Sequence, residues 1–289
     1  MKEYKDGVYS GERALYNTHG ADIDGCVFED GESPLKESSR LDIKNTEFRW
    51  KYPLWYCKDV SAENTTLRIT ARSGIWYTHG ISFKDSLIEA PKTFRRASKI
   101  SLLRTDMPNA DETLWDCRDV RIEKVKAKGD YFGMNAEGVF VDGLELDGNY
   151  AFDGGKNIEV NSSRLISKDA FWNTENVTVT DSYIEGEYLG WNSKNLTFIN
   201  CTIESNQGLC YIENLKMVNC TLIKTDLAFE LSTVECGINS SIDSVKNPIS
   251  GKIHAKRIDE LILDREMIDP EKTEITTEEQ GRVEYQPQI

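Results

Sequence analysis

The octet LTFINCTI at residues 196–203 returns as LKMVNCTL at residues 215–222. Leu196 and Leu215, Asn200 and Asn219, Cys201 and Cys220 all stand 19 residues apart. The shared template is apolar–x–apolar–x–Asn/Asp–small–x–apolar. Slid towards the N-terminus, it lands on VTVTDSYI at 177, IEVNSSRL at 158, VFVDGLEL at 139, VRIEKVKA at 120 and ISLLRTDM at 100. It continues through ISFKDSLI at 81, VSAENTTL at 60, LDIKNTEF at 41 and ADIDGCVF at 21, and fainter copies start at Val234 and Ile253. Twelve steps cover 232 residues, and none is shorter than 19 or longer than 21. A period of this size held in phase along a chain specifies a solenoid.

The alternation inside each repeat has period 2, so the repeating element is a strand. The Asn/Asp position ends it, because these residues tolerate the left-handed backbone of a sharp corner. Gly25 and Gly143 fill the same corner. A second apolar run follows, as in PLWYC at 53, GIWYT at 74, TLWDC at 113, AFWN at 170, LGWN at 189, GLCYI at 208 and LAFEL at 227. Each turn therefore carries two or three short strands and no helix. The expected fold is all-β: a single-stranded, right-handed parallel β-helix of about 12–13 rungs with 19–21 residues each. Leucine-rich repeats overlap in period but return through a helical or irregular segment. Pentapeptide repeats need a five-residue beat, which is absent. Residues 1–20 are expected to form an N-terminal cap, 21–263 the β-helix, and 264–289 an extended acidic tail.

The chain has 289 residues, with 35 basic against 49 acidic and a net charge of −14. That balance repels phosphate backbones and argues against a nucleic-acid partner. No apolar run approaches a membrane span, and MKEYKDGVYSGERALY is unlike a signal peptide, so a cytoplasmic location is the expectation. The seven cysteines lie in apolar runs without a CxxC pair, which reads as buried reduced thiols. His19, His79 and His254 are far apart in sequence. No metal site and no cofactor are expected.

The rungs, together with GERALY, GESPLKES, KYPLWYC, SGIWYT, APKTFRR, ETLWDC, KGDYF, SKDAFWN, GEYLGWNS and QGLCY, resemble a bacterial family of unknown function. The resemblance runs from about residue 7 to 262 and implies a pectin-lyase-like right-handed β-helix. The wider superfamily includes lyases, hydrolases and epimerases acting on uronates, but a shared fold is a weak warrant for shared chemistry. The hydrolases carry an Asp-Asp pair and a Gly-His-Gly element. This chain has no Asp-Asp, and its nearest match to the second is Thr-His-Gly at 18–20 and 78–80. The ligand pattern of the calcium-dependent lyases is also absent.

Stacking the aromatic runs yields columns. Leu54, Ile75, Phe94 and Leu114 begin one, Trp55, Trp76, Arg95 and Trp115 a second, and Tyr56, Tyr77, Arg96, Asp116, Asn135, Asn173, Asn192 and Tyr211 lie on a third. The tryptophan column is expected mostly inside, with Arg95 needing a partner, and the third column forms an outward polar stripe. Such a stripe suits an oligosaccharide, uronate-containing ones included. Arg96 would neutralise a carboxylate, with Tyr77 or Asp116 as acid or base. Tyr56, Arg95, Asn135, Asn173, Asn192 and Tyr211 would bind the chain. The bland reading is a surface Arg–Asp ion pair with asparagine ladders, in a non-catalytic scaffold or protein-interaction module, monomeric or homodimeric. His79 as a base, and Asp111, Glu112 and Asp130 as cation ligands, have equally ordinary structural readings. The Asn-x-Ser/Thr matches at Asn64, Asn161, Asn200 and Asn219 read as corners rather than glycosylation sites.

Overall fold

The computed structural model describes residues 2–279 and the backbone of 282–285. The chain forms two compact units, Met1–Gly148 and Asn149–Ile289.

In the first unit, the template segments become the strands His19–Asp24, Ser39–Lys44, Lys58–Glu63, His79–Lys84, Ser98–Leu103, Arg118–Glu123 and Glu137–Asp142. They stack in parallel, and the register is the sequence repeat itself: Ala21 beside Leu41, Leu41 beside Val60, Val60 beside Ile81, Ile81 beside Ile100 and Ile100 beside Val120. The two apolar template positions point inward, so Leu41, Ile43, Ile81 and Phe83 are buried. The residue between them points outward, as strand geometry requires. The chain then turns at Asn45, Asn64 and Asp85, whose φ values are 50°, 49° and 50°. A two-residue strand follows each corner and stacks as a second face, pairing Glu47 with Thr66 and Phe48 with Leu67. Phe28 and Phe48 stack in the core with ring centres 4.8 Å apart and planes within 6°.

The second unit repeats the plan with Lys156–Asn161, Glu175–Thr180, Lys194–Ile199 and Glu213–Ile223. Leu196 lies beside Leu215, and Leu215 beside Val234. The opening octets are therefore direct neighbours. All seven cysteines are free and buried.

The ends differ from expectation. Lys2–Lys5 pairs in parallel with His19–Asp24, so the expected cap carries a turn of its own. The stretch KEYKDGVY fits the template except at Lys2, and Asp6 turns the corner with φ 50°. Thr273–Thr277 pairs with Ser250–Ala255, and Arg282–Tyr285 with Arg257–Leu263, so much of the expected tail continues the coil. Residues 280, 281 and 286–289 of that segment lie outside the described residues. The last turns also leave the 19–21 spacing: Ile253 sits beside Cys236, 17 residues away, and beside Ile275, 22 away. Counting long strands gives eight turns in the first unit and seven in the second, about 15 in all. Among the described residues the one helical turn is Pro270–Lys272, and no helix is long and apolar enough to cross a membrane.

Candidate functional site

The aromatic run of each turn is short in the first unit. Among the described residues, only Ile75–Trp76 and Phe94–Arg95 form paired strands there, with a single bridge from Arg95 to Trp115. Leu54, Ile75, Phe94 and Leu114 are buried, so this column is the core. Trp55, Trp76, Arg95 and Trp115 are half-buried on the outside, which reverses the inward placement expected for them. Trp55 stacks on Trp76 at 5.3 Å, and the Arg95 guanidinium lies 4.8 Å from the Trp76 ring centre and 4.3 Å from that of Trp115. Arg95 also reaches Glu112 at 3.3 Å. Its charge is met by two π-faces and a carboxylate, which makes it a clasp between turns and not a free ligand group.

The third column is a corner and not a strand face. Tyr56, Tyr77, Arg96, Asp116 and Asn135 have φ of 54°, 58°, 49°, 52° and 54°. A left-handed residue breaks the two-residue alternation, so the column does not share a face with Leu54. The result is an outward ridge. Tyr56 and Tyr77, 48% and 37% exposed, stack on one another at 4.9 Å. Lys36 Nζ lies 5.6 Å from the Tyr56 ring centre. The faces the two rings turn to each other are closed to a sugar. Arg96 Nε stands 3.6 Å from Asp116 Oδ2, with side chains 60% and 43% exposed, and Asn135 donates to Asp116 at 3.3 Å. The structure brings these five to one ridge as two sets of surface contacts, Tyr56 with Tyr77 and Arg96 with Asp116 and Asn135.

Asn173, Asn192 and Tyr211 belong to the second unit, at the same kind of left-handed corner. Asn173 donates to Asp153 at 2.9 Å, and Tyr211 meets Trp191 edge to face at 4.9 Å. His79 Nδ1 lies 2.8 Å from Ser98 Oγ, and His19 and His254 contact Ser39 and Thr276 one turn on in the same way. Asp111 accepts from the Asp130 backbone N–H at 2.9 Å, while Glu112 holds Lys92 and Arg95. Among the described residues, no group of three or more His, Cys, Asp or Glu side chains is arranged to hold a metal ion.

A different place in the first unit forms a shallow, open depression. On the outer face of the long strands, Asp42, Ser61, Ser82, Ser101 and Arg121 stand side by side on five consecutive turns. The small serines leave an open trough of about 510 Å³, walled by Arg40, Asp59, Gly80 and Lys99. Among the described residues, no protein group bonds the hydroxyls of Ser61, Ser82 and Ser101. At one end Asp42 is paired with Lys44 at 2.9 Å. At the other, Arg121 is held by Glu123 at 2.6 Å and lies 4.5 Å from the Phe140 ring centre.

Residues 2–276 match the family described as "Protein of unknown function (DUF3737)". The chain belongs to this family. No curated protein matches it. Among solved structures, the A-module of mannuronan C-5 epimerase AlgE4 from Azotobacter vinelandii is similar at 12% identity, covering 99% of this chain and 88% of that one, with a TM-score of 0.31. QnrB1, a plasmid-mediated fluoroquinolone resistance protein, is similar at 13% identity over 77% of this chain and 92% of its own, with a TM-score of 0.24. The pentapeptide repeat protein HetL from Nostoc sp. strain PCC 7120 is similar at 10% identity over 77% and 81%, with a TM-score of 0.17. Likeness this distant assigns no activity to a DUF3737 chain.

The trough residues have a sequence signal. The position between the two buried template residues reads Asp, Ser, Ser, Ser from residue 42 to 101, which is three small hydroxyls in succession on one exposed column. Chemically, such a column can donate and accept hydrogen bonds at every turn, with turns about 4.8 Å apart.

Proposed function

We propose that this protein is an oligosaccharide-binding module, and that its ligand lies in the trough of the first unit along the stacking direction of the turns. The observation that carries this reading is the column of unpartnered hydroxyls at Ser61, Ser82 and Ser101, each one turn from the next. A hydroxyl that both donates and accepts is matched by another hydroxyl, and a repeated donor column is matched by a ligand that is itself a repeat. Leu41, Val60 and Ile81 line the trough but are almost wholly buried, at 3%, 4% and 2% exposure, so they offer a peptide no deep pocket for a hydrophobic anchor. The ridge from Tyr56 to Asn135 lies outside this reading, since it is a line of corners whose side chains engage one another.

The test is a thermal-shift and calorimetric screen of the whole chain against neutral and charged oligosaccharides, because a ligand preferring the folded state raises stability. Wild type is expected to show a shift. Ser82→Tyr, which fills the middle of the trough with a residue suited to strands, is expected to fold and to lose it. Absence of any shift across the panel, or undiminished binding by Ser82→Tyr, would overturn the proposal. The self-satisfied ridge favours a second reading, a non-catalytic scaffold, and a silent panel would leave that reading standing.

A further inference from the structure

The two sides of the trough are built differently. Towards the template corner, and apart from Asp42 beyond the residues that line the trough, charges are neutralised in pairs: Lys44 with Asp42 at 2.9 Å, Lys84 with Glu63 at 2.5 Å and Arg104 with Asp85 at 2.5 Å. The opposite wall is the column Arg40, Asp59, Gly80, Lys99, all with positive φ, of 53°, 55°, 73° and 53°. None of its three charged side chains has an ion pair or side-chain hydrogen bond among the described residues, although each lines the trough. Arg40 and Asp59 occupy successive turns and remain apart. On the ridge nearby, Arg96 and Asp116 in the equivalent relation do approach each other. At Gly80 the wall dips. A Cβ there would stand 3.0 Å from Asp59 Oδ1, so the carboxylate leans over the gap the glycine leaves.

We infer that the trough is selective for a zwitterionic oligosaccharide, in which an amino sugar is flanked by acidic sugars. This rests on the oligosaccharide-binding reading above and adds the charge class of the ligand. An ammonium group seats at the Gly80 dip against Asp59, while acidic groups face Arg40 and Lys99. Turn spacing places Asp59 about 5 Å from Arg40 and about 10 Å from Lys99 along the trough. A purely acidic chain meets Asp59 as a repulsive element in mid-site, and a purely basic chain meets Arg40 and Lys99 at either end. A neutral chain leaves all three charges without a counterpart.

The test is calorimetry on the full chain with four sets of oligomers of matched length: neutral cello-oligosaccharides, oligogalacturonates, glucosamine oligomers, and glucosamine oligomers partly carboxymethylated on oxygen. The mixed-charge set is expected to bind about tenfold more tightly than the other three. Asp59→Asn keeps a residue tolerant of the left-handed backbone and is expected to erase the advantage over oligogalacturonates. Lys99→Gln is expected to erase the advantage over glucosamine oligomers. Binding that is blind to charge, or a preference that survives both substitutions, overturns this inference while leaving oligosaccharide binding intact. Failure of every oligomer to bind removes the oligosaccharide reading itself, and the inference with it.

Discussion

The side-chain amide of Asn219 donates to the side-chain oxygen of Asn200 at 2.8 Å, and Asn200 donates in turn to Asp181 at 3.0 Å. The bonds run one way, each amide to the turn before it. All three residues are left-handed, with φ of 55°, 53° and 50°. The corner is thus held both by backbone tolerance and by a ladder, and the two can be separated. Asn200→Gly keeps the backbone and removes two exposed hydrogen bonds, for an expected loss of about 1 kcal/mol. Asn200→Ala adds left-handed strain, for about 2 kcal/mol. Urea unfolding of both variants checks the order, and equal losses would mean the ladder alone matters.

Burial sets a second expectation. The thiols of Cys57, Cys117 and Cys210 are pushed up to about 12, and that of Cys201 to about 11, because desolvation disfavours the thiolate. The ordinary value is 9.0. Above pH 9 the unfolded chain gives up these protons while the folded chain keeps them, so stability falls as pH rises towards 12. Each such thiol removes about 1.4 kcal/mol per pH unit in that window. Cys57→Ala is expected to flatten the slope of unfolding free energy against pH between about 9 and 10.5. At pH 8 the native protein should react with a thiol reagent only as it unfolds.

Arg95 and Arg96 are sequence neighbours with opposite prospects. Arg96 meets Asp116 at the surface at 3.6 Å, a contact worth under about 1 kcal/mol. Arg95 fills the space between Trp76 and Trp115. Arg95→Ala removes two cation–π contacts and leaves a gap between the rings, for an expected loss of about 2–3 kcal/mol. Arg96→Gln should stay within about 0.5 kcal/mol of wild type. Melting curves of the two variants check this, and a cost at Arg96 matching that at Arg95 would contradict the ridge geometry.

The solenoid was legible because stacking makes like residues neighbours, so the strands from Ala21 to Val139 in the first unit and from Ile158 to Val234 in the second read directly as register. Terminal turns were less so, since Lys2 replaces an apolar residue and TEITT at 273–277 lacks the Asn or Asp corner. The ridge was expected to face outward and does, but the tryptophan column expected inside also lies outside, for a physical reason. Left-handed backbone at Tyr56, Tyr77 and Arg96 is imposed by the packed turn, and nothing in a tyrosine or arginine announces it, whereas Asn45 and Asn64 announce theirs. The serines of the trough stand as a column in the sequence but were passed over there. What they mean depends on that face being uncovered by any loop, a tertiary fact with no local signature.

Glu47 makes part of the stability acid-sensitive through a surface network. It accepts from Arg49 at 2.6 Å and from Arg68 on the next turn at 3.0 Å, and Arg68 also reaches Glu89 at 3.3 Å. Hydrogen bonds from Arg68 and then Arg49 hold the Glu47 carboxyl down at about 2, against an ordinary 4.5. The bridge therefore contributes fully above pH 4.5, and its contribution is lost as pH falls through about 2. Solvent reaches both arginines, so the stabilisation is screened to about 1 kcal/mol. Glu47→Gln is expected to lower unfolding free energy by that amount at pH 7 and to leave it unchanged near pH 2. Urea titrations at the two pH values measure it, and an equal loss at both would assign the effect to packing instead of charge.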